Sequence, residues 1–119
     1  MIASMAGVNP SVMAGSVYSA AKTAARVYMN ILAQEMRPHG IRAITVSPGE
    51  VDTPIMDNRP LVPNAETRAR MMMPEDISSA VLMAVTLPRR AMVSEIHIGA
   101  TDPRDMSADI AASKNKNSA

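Results

Sequence analysis

The 119 residues suffice for one small domain, and a content of 47% hydrophobic and 19% charged residues is typical of a globular protein rather than a disordered one. The net charge of +1 comes from scattered basic residues, and there is no cysteine, which argues against a nucleic-acid surface, disulfides and thiolate metal sites. No apolar run approaches the roughly 18–20 residues that span a bilayer, and the first residues are not typical of a signal peptide, so we expect a soluble, cytoplasmic protein.

The first part of the chain contains a strand end, a loop and a long helix. Met1-Ile2-Ala3 is predicted as the end of a sheet strand, and residues 5–15, with two glycines and a proline, as a loop. From Ser16 to Met36 or Arg37, apolar residues recur every three or four positions, which predicts a helix that the following proline and glycine end. Because the apolar stripe is wide and rich in alanine, we expect this helix to be buried on more than one side.

The remainder of the chain alternates strands and helices. The predicted segments are a buried parallel strand at Ile41 to Val46, a mobile flap at 55–73 that can include a short helix at 65–72, a helix from Pro74 to Leu87, and a strand at Ser94 to Ile98. Residues 107–119 are small and polar. We therefore expect a domain of residues 1–106 followed by a disordered tail at 107–119.

Tyr18 and Lys22 are four residues apart, which places them on one face of the long helix with roughly 5–6 Å between their Cβ atoms. A phenol normally ionises at about pH 10, and an ammonium group held beside it favours the phenolate. The pair is therefore predicted to donate and accept a proton in a carbinol–carbonyl interconversion. The alternative is a surface pair without a function, because this spacing alone also arises by chance.

The segment Ser47–Pro54 reads Ser-Pro-Gly-Glu-Val-Asp-Thr-Pro and follows the predicted strand directly. In open α/β sheets, ligands bind just beyond the carboxyl ends of strands. We expect Pro48 and Gly49 to turn the chain so that backbone groups can approach a ligand. The alternative is an ordinary Pro-Gly turn.

Three motifs occur in a fixed order: Ser4-Met5-Ala6-Gly7, the Tyr18 and Lys22 pair, and the Ser47–Pro54 segment. Together they resemble the short-chain dehydrogenase/reductase family, over Met1 to about Ile98. The resemblance is to the C-terminal half of such an enzyme. It implies an α/β fold, namely an incomplete C-terminal part of a Rossmann-like, doubly wound parallel sheet.

The resemblance also implies a role for each catalytic residue. Ser4 would hydrogen-bond the substrate oxygen, and Tyr18 would be the general acid in carbonyl reduction and the general base in alcohol oxidation. Lys22 would support Tyr18 and hydrogen-bond the ribose of the nicotinamide nucleotide. Ser4 precedes Tyr18 by fourteen residues, one more than is usual in the family, and the alternative for Ser4 is a serine that caps the strand end.

For the cofactor, the resemblance implies NAD or NADP, bound by Tyr18 and Lys22 and by the segment after the strand. Pro48 and Gly49 would form its turn, the backbone of Val51 would bind the nicotinamide carboxamide, and Thr53 would add a hydroxyl contact. The substrate would be a small alcohol or carbonyl compound, with neither nucleic acid nor membrane as partner. In the family the matching long helix packs against its twin, which implies a homo-oligomer.

The glycines stand at 7, 15, 40, 49 and 99, too far apart to form the Gly-rich turn that binds a dinucleotide. The segment that would carry the family's catalytic asparagine is also lacking. We therefore expect a fragment with little or no dehydrogenase activity alone. One alternative is an inactive truncated module that docks on full-length relatives through its long helix. Another is an epimerase or dehydratase of the extended branch, although the Ser47–Pro54 segment favours the simple dehydrogenases.

The arginines and methionines of the predicted flap each have two possible roles. Arg59, Arg68 and Arg70 would either bind an anionic substrate or be solvated loop residues. The three methionines at 71–73 would either line an apolar pocket or pack the flap. Neither histidine lies in a pattern that suggests a metal site.

Overall fold

The computed structural model describes residues 1–116 and has a mixed α/β fold. Its regular elements are α1 (Ser16–Met36), β1 (Thr45–Pro48), α2 (Ala65–Arg68), α3 (Pro74–Thr86), β2 (Glu95–Ile98) and α4 (Ser107–Lys116). Short 3-10 helices occur at Met5–Gly7, Arg37–His39 and Pro54–Asn58. The predicted helices at 16–36 and 74–87 and the strand at 94–98 are confirmed to within a residue.

Strands β1 and β2 form a parallel pair, with Thr45 opposite Glu95 and Pro48 opposite Ile98. On the other side of β1, Ile2 forms a parallel bridge with Val46, which confirms the first residues as a strand end. The strand predicted at 41–46 begins only at Thr45. Its start coincides with that of its partner β2, and residues 41–44 have no ladder partner in the part of the chain that the structure describes.

Helix α1 begins after Gly15, whose φ of 82° lies in the left-handed region that favours glycine. Its inward side packs Met29 and Ala33 against Ala43. Its outward side is exposed, so the prediction of burial on more than one side is wrong for the chain by itself. No helix in residues 1–116 is long and apolar enough to cross a membrane.

The flap between β1 and α3 contains less helix than predicted, because α2 ends at Arg68. Asn64 caps α2 by accepting a hydrogen bond from the N–H of Thr67 at 2.8 Å. Helix α3 begins at Pro74, and Asp76 accepts from the N–H of Met73 at 2.8 Å. Proline at the first helical position and a carboxylate in the first turn are both favoured there.

Residues 107–116 form α4 instead of the predicted disordered tail. The helix starts with Asp105, which accepts from the N–H of Ser107 at 2.9 Å and from its hydroxyl at 2.6 Å. Arg104 pairs both with Asp109 of this helix and with Glu50 after β1, and so holds the helix to the sheet end. The predicted disorder at 117–119 lies outside the described residues.

Candidate active site

A cavity of about 610 Å³ lies at the carboxyl end of β1, where ligands bind in open α/β sheets. The first turn of α1, the 3-10 helix after Ser4 and the loop after β1 enclose it together with Met106. Six of the predicted site residues line it: Ser4, Tyr18, Pro48, Gly49, Val51 and Thr53. Lys22 is not part of the wall, and its ammonium group lies 5.6 Å from the centre of the Tyr18 ring. That distance is within the range of a cation–π contact.

Ser4 stands between the strand end and the 3-10 helix Met5–Gly7. Its Oγ accepts a hydrogen bond from the N–H of Ala6 at 3.1 Å, so the serine does cap this turn. A hydroxyl has one donor and two acceptor positions. The cap uses one acceptor, and the hydroxyl proton of Ser4 is available for a ligand oxygen in the cavity.

Gly7 sets the distance between the Ser4 turn and α1. A Cβ on Gly7 would lie 2.7 Å from the backbone carbon and oxygen of Lys22. The hydroxyl of Thr23 donates to the carbonyl of Gly7 at 3.4 Å and to that of Ser19 at 2.8 Å. The sequence prediction assigned neither Gly7 nor Thr23 to the site. The one available signal was the small pair Ala6-Gly7, which follows Ser4 after one intervening methionine.

The loop after β1 presents unpaired backbone groups at Val51. The N–H of Met72 donates to the carbonyl of Glu50 at 3.3 Å, and the N–H of Asp52 donates to the carbonyl of Met72 at 2.8 Å. These two bonds flank Val51, whose own N–H and carbonyl have no hydrogen-bond partner within residues 1–116. One donor and one acceptor on the same residue fit the carboxamide of a nicotinamide.

A buried ion cluster joins the same loop to α4. Arg104 donates to both oxygens of Glu50 at 2.8 and 2.9 Å and to both oxygens of Asp109 at 2.7 and 3.0 Å. The hydrogen bond from Arg104 lowers the pKa of Asp109 below its ordinary value, while burial opposes that shift. The bonds to Asp109 and Glu50 raise the pKa of Arg104. Sequence reasoning missed this cluster because it treated the tail as disordered.

The three flap arginines differ in their surroundings. Arg68 pairs with Asp52 at 3.2 Å and also with Asp57, and Arg70 pairs with Asp102 at 2.7 Å. Arg59 lines the cavity. Thus two of the three are held by carboxylates of this chain.

Two of the three consecutive methionines at 71–73 are buried and the third is exposed. Met71 and Met72 are buried under the flap, whereas Met73 is exposed before α3. None of the three lines the cavity that holds Ser4 and Tyr18. The flap-packing alternative therefore describes the first two.

A sequence profile described as short chain dehydrogenase matches residues 1–62, just over half of the 119 residues. Similar curated proteins include uncharacterized oxidoreductases of Staphylococcus aureus strain USA300, 33% identical, and of Staphylococcus epidermidis strain ATCC 35984, 30% identical, each over 97 residues. These matches cover 82% of this chain but only 39% and 40% of the relatives. The chain thus spans less than half the length of the relatives it matches.

Solved structures of dehydrogenases have the same fold over part of their length. Serine dehydrogenase from Escherichia coli matches with a TM-score of 0.68 at 24% identity, over 87% of this chain and 40% of that one. Serine dehydrogenase complexed with NADP+ matches with a TM-score of 0.70 at 23% identity, over 87% and 44%. 4-Hydroxyisoleucine dehydrogenase complexed with NADH matches with 0.58 at 24% identity, over 82% and 42%. The expected fold, part of a Rossmann-like parallel sheet, is confirmed.

Proposed function

The chain belongs to the short chain dehydrogenase family, and from that premise we propose that its cavity is the catalytic part of a nicotinamide-dependent oxidoreductase site. The observation that carries the proposal is the presence of Ser4 and Tyr18 in one cavity with the unpaired backbone of Val51. A hydroxyl donor, a phenol and a carboxamide-binding edge are the groups that a carbonyl–alcohol interconversion needs from the protein.

Each residue of this chain has a defined task in the proposed reaction. Bound NAD or NADP supplies or takes up the hydride at the substrate carbon. Tyr18 donates its phenolic proton to the carbonyl oxygen during reduction and takes the hydroxyl proton during oxidation. The Ser4 hydroxyl donates to the same oxygen. The Lys22 ammonium lies next to the Tyr18 ring, supports Tyr18 in the reaction and hydrogen-bonds the nicotinamide ribose.

The cofactor contacts of this chain belong to the nicotinamide end. The N–H and carbonyl of Val51 hold the carboxamide, Thr53 adds its hydroxyl, and the turn at Pro48 and Gly49 brings this backbone to the cavity. The 119 residues contain no Gly-rich turn for the pyrophosphate. We therefore expect the purified chain to turn over little or no nicotinamide cofactor.

A fusion protein tests the proposal. The part of the Staphylococcus aureus relative that precedes the matching region is joined to this chain, and oxidation of NADH and NADPH is measured with a panel of small ketones and aldehydes. We expect the fusion protein to be active. Tyr18→Phe should reduce its turnover at least about 100-fold, because the substitution removes the proton donor. Tyr28→Phe is the matched control, since Tyr28 is exposed on α1 and does not line the cavity. Equal activity of both variants would contradict the proposal.

The outward side of α1 supports a second candidate function, docking onto full-length relatives. Its apolar residues are well exposed in the single chain: Val17, Val27, Tyr28 and Ile31. An apolar helix face of this kind is typical of an interface. Recovery of mixed complexes with a tagged, full-length relative would favour docking. The proposed homo-oligomer would use the same outward side of α1.

A further inference from the structure

Two charged side chains, Glu50 and Arg59, line the cavity among the residues that the structure describes. Both oxygens of Glu50 accept hydrogen bonds from Arg104, which Glu50 shares with Asp109. Arg59 makes no ion pair within 4.0 Å in residues 1–116, unlike its flap neighbours Arg68 and Arg70. The cavity thus contains one positive charge without a directly bound anion.

The backbone of Arg59 is anchored beside the cavity. Its N–H donates to the carbonyl of Met56 at 3.3 Å, at the end of the 3-10 helix Pro54–Asn58. The Met56 side chain is only 4% exposed, which fixes this short helix against the protein. Arg59 therefore projects from a packed turn, and Asn58 beside it lines the same cavity.

The Asp109 carboxylate, whose charge interacts with that of Arg59, is already hydrogen-bonded to Arg104. Asp109 has its pKa lowered chiefly by hydrogen bonds from Arg104 and, at longer range, by the charge of Arg59. Both Asp109 oxygens accept from Arg104. The Arg59 guanidinium therefore retains its five N–H donors in a planar fork, which matches a carboxylate in two parallel hydrogen bonds.

The cavity has the size and composition of a small-molecule site. Its volume of about 610 Å³ lies within the range of roughly 300–1,000 Å³ that is usual for such sites. Its apolar wall is built largely from methionine and isoleucine: Met5, Met13, Ile55, Met56 and Met106. Among its polar groups are the hydroxyls of Ser4 and Tyr18 and the cation of Arg59; neutral side chains such as Asn9, Ser11, Thr53 and Asn58 also line it.

We infer that Arg59 binds the carboxylate of the substrate, and that the site takes a small hydroxy or oxo acid. The inference rests on the proposed function, since Ser4 and Tyr18 bind the oxygen that reacts. A substrate with both groups satisfies both polar parts of the cavity, whereas an uncharged ketone leaves the Arg59 cation without a partner. Arg59 is thus a specificity-determining residue.

Binding to the purified chain, without cofactor, tests the inference. The probes are 4-oxopentanoate, a stable oxo acid, and its uncharged methyl ester, titrated while protein NMR shifts are followed. We expect the acid to bind about 10- to 100-fold more tightly than the ester, and Arg59→Gln to abolish that preference. Arg59→Lys should restore part of it. Arg70→Gln is the matched control, because it removes the same charge from the flap at a residue outside the cavity.

Each outcome separates this inference from the proposed function. A parent chain that binds acid and ester equally, or neither, overturns the inference, as does an acid preference that survives Arg59→Gln with the fold intact by circular dichroism. Acid-selective binding in the chain together with an inactive fusion protein leaves the inference standing while the proposed function fails. An active fusion that reduces neutral ketones and oxo acids equally overturns only the role of Arg59.

Discussion

Gly7 controls how closely the turn that carries Ser4 approaches the helix that carries Tyr18 and Lys22. A Cβ added at Gly7 would meet backbone atoms of Lys22 at 2.7 Å, and helix backbone cannot rotate away as a side chain can. We expect Gly7→Ala to lower the free energy of unfolding by about 1–3 kcal/mol, the usual cost of overpacking. Urea unfolding of the purified chain, followed by circular dichroism, measures this change.

The same substitution at Gly99 provides the control. No heavy atom lies within 4 Å of a Cβ built there, and its φ is not positive. Gly99→Ala should therefore stay within about 0.5 kcal/mol of the parent. A loss at Gly99 as large as that at Gly7 would show that the contact with Lys22 does not matter.

At the residue scale, side-chain contacts between residues close in the sequence were predicted correctly, whereas contacts between distant residues were not predicted. The four-residue spacing of Tyr18 and Lys22 determines their proximity through the period of the helix alone. By contrast, Arg68 and Arg59 lie in the same flap and look alike in sequence. Their difference depends on Asp52 and Asp57, sixteen and eleven residues from Arg68, which pair with Arg68 and not with Arg59.

At the level of elements, Arg104 connects α4 to the loop after β1. Its side chain and those of Glu50 and Asp109 are 10–14% exposed, so removal of the guanidinium leaves two carboxylates poorly solvated. We expect Arg104→Met to lower the free energy of unfolding by about 2–3 kcal/mol. Hydrogen exchange of the α4 amides should also accelerate.

Arg70→Met is the comparison for that change. The pair of Arg70 with Asp102 is exposed by 47% and 78%, and ion pairs in water contribute at most about 1 kcal/mol. We therefore expect a change below about 1 kcal/mol and no effect on α4 exchange. If both variants lose the same stability, the buried cluster is not what holds α4.

The same cluster makes the docking of α4 sensitive to acid. The hydrogen bond from Arg104 lowers the pKa of Asp109 in the folded state, so the unfolded chain binds the proton more readily. The stabilisation is therefore complete above about pH 5 and is lost as the pH falls below the ordinary aspartate pKa of about 3.9. Glu95, whose pKa Arg26 lowers in the same way, adds to this loss.

A pH series of urea unfolding between about pH 3 and pH 7 tests this expectation. The parent should lose stability steeply at the acid end. Asp109→Asn should be less stable than the parent at neutral pH and should show a shallower acid slope. The remaining slope comes from Glu95 and Asp105, whose pKa values hydrogen bonds also lower. An unchanged slope in Asp109→Asn would contradict the assignment to Asp109.

Elements with local end signals were predicted well, and those that depend on distant partners were not. Helix α3 begins at a proline and α1 ends before one, so both appear in the sequence pattern. Helix α4 has small, polar residues and a weak pattern, and it is held by Arg104, which reaches Glu50 across 54 positions. Strand β1 starts at Thr45 because its pairing with β2 begins at that residue, although the β-branched run in the sequence already begins at Ile41.

The whole molecule exposes more surface than a compact domain of its mass. Its accessible surface is 7613 Å², against about 6,200 Å² expected for 12.7 kDa. Its radius of gyration is 16.2 Å, against about 13.5 Å expected. The excess of about 1,400 Å² exceeds the roughly 800 Å² that each partner contributes to a standard interface. Apolar residues on α1 and α3 are among those exposed.

The outward side of α1 should therefore drive self-association. Val17 is 83% exposed and Ile31 50% exposed, and their burial against a second copy would be favourable by about 25 cal/mol for each Å² of apolar surface. We expect sedimentation velocity to show dimers or larger species whose dissociation constant rises at least about tenfold on Ile31→Glu, because a charge is then buried in the interface. Thr101→Glu adds the same charge at an exposed position outside α1 and should have little effect. A parent chain that stays monomeric at all accessible concentrations would show that the apolar side of α1 does not mediate self-association.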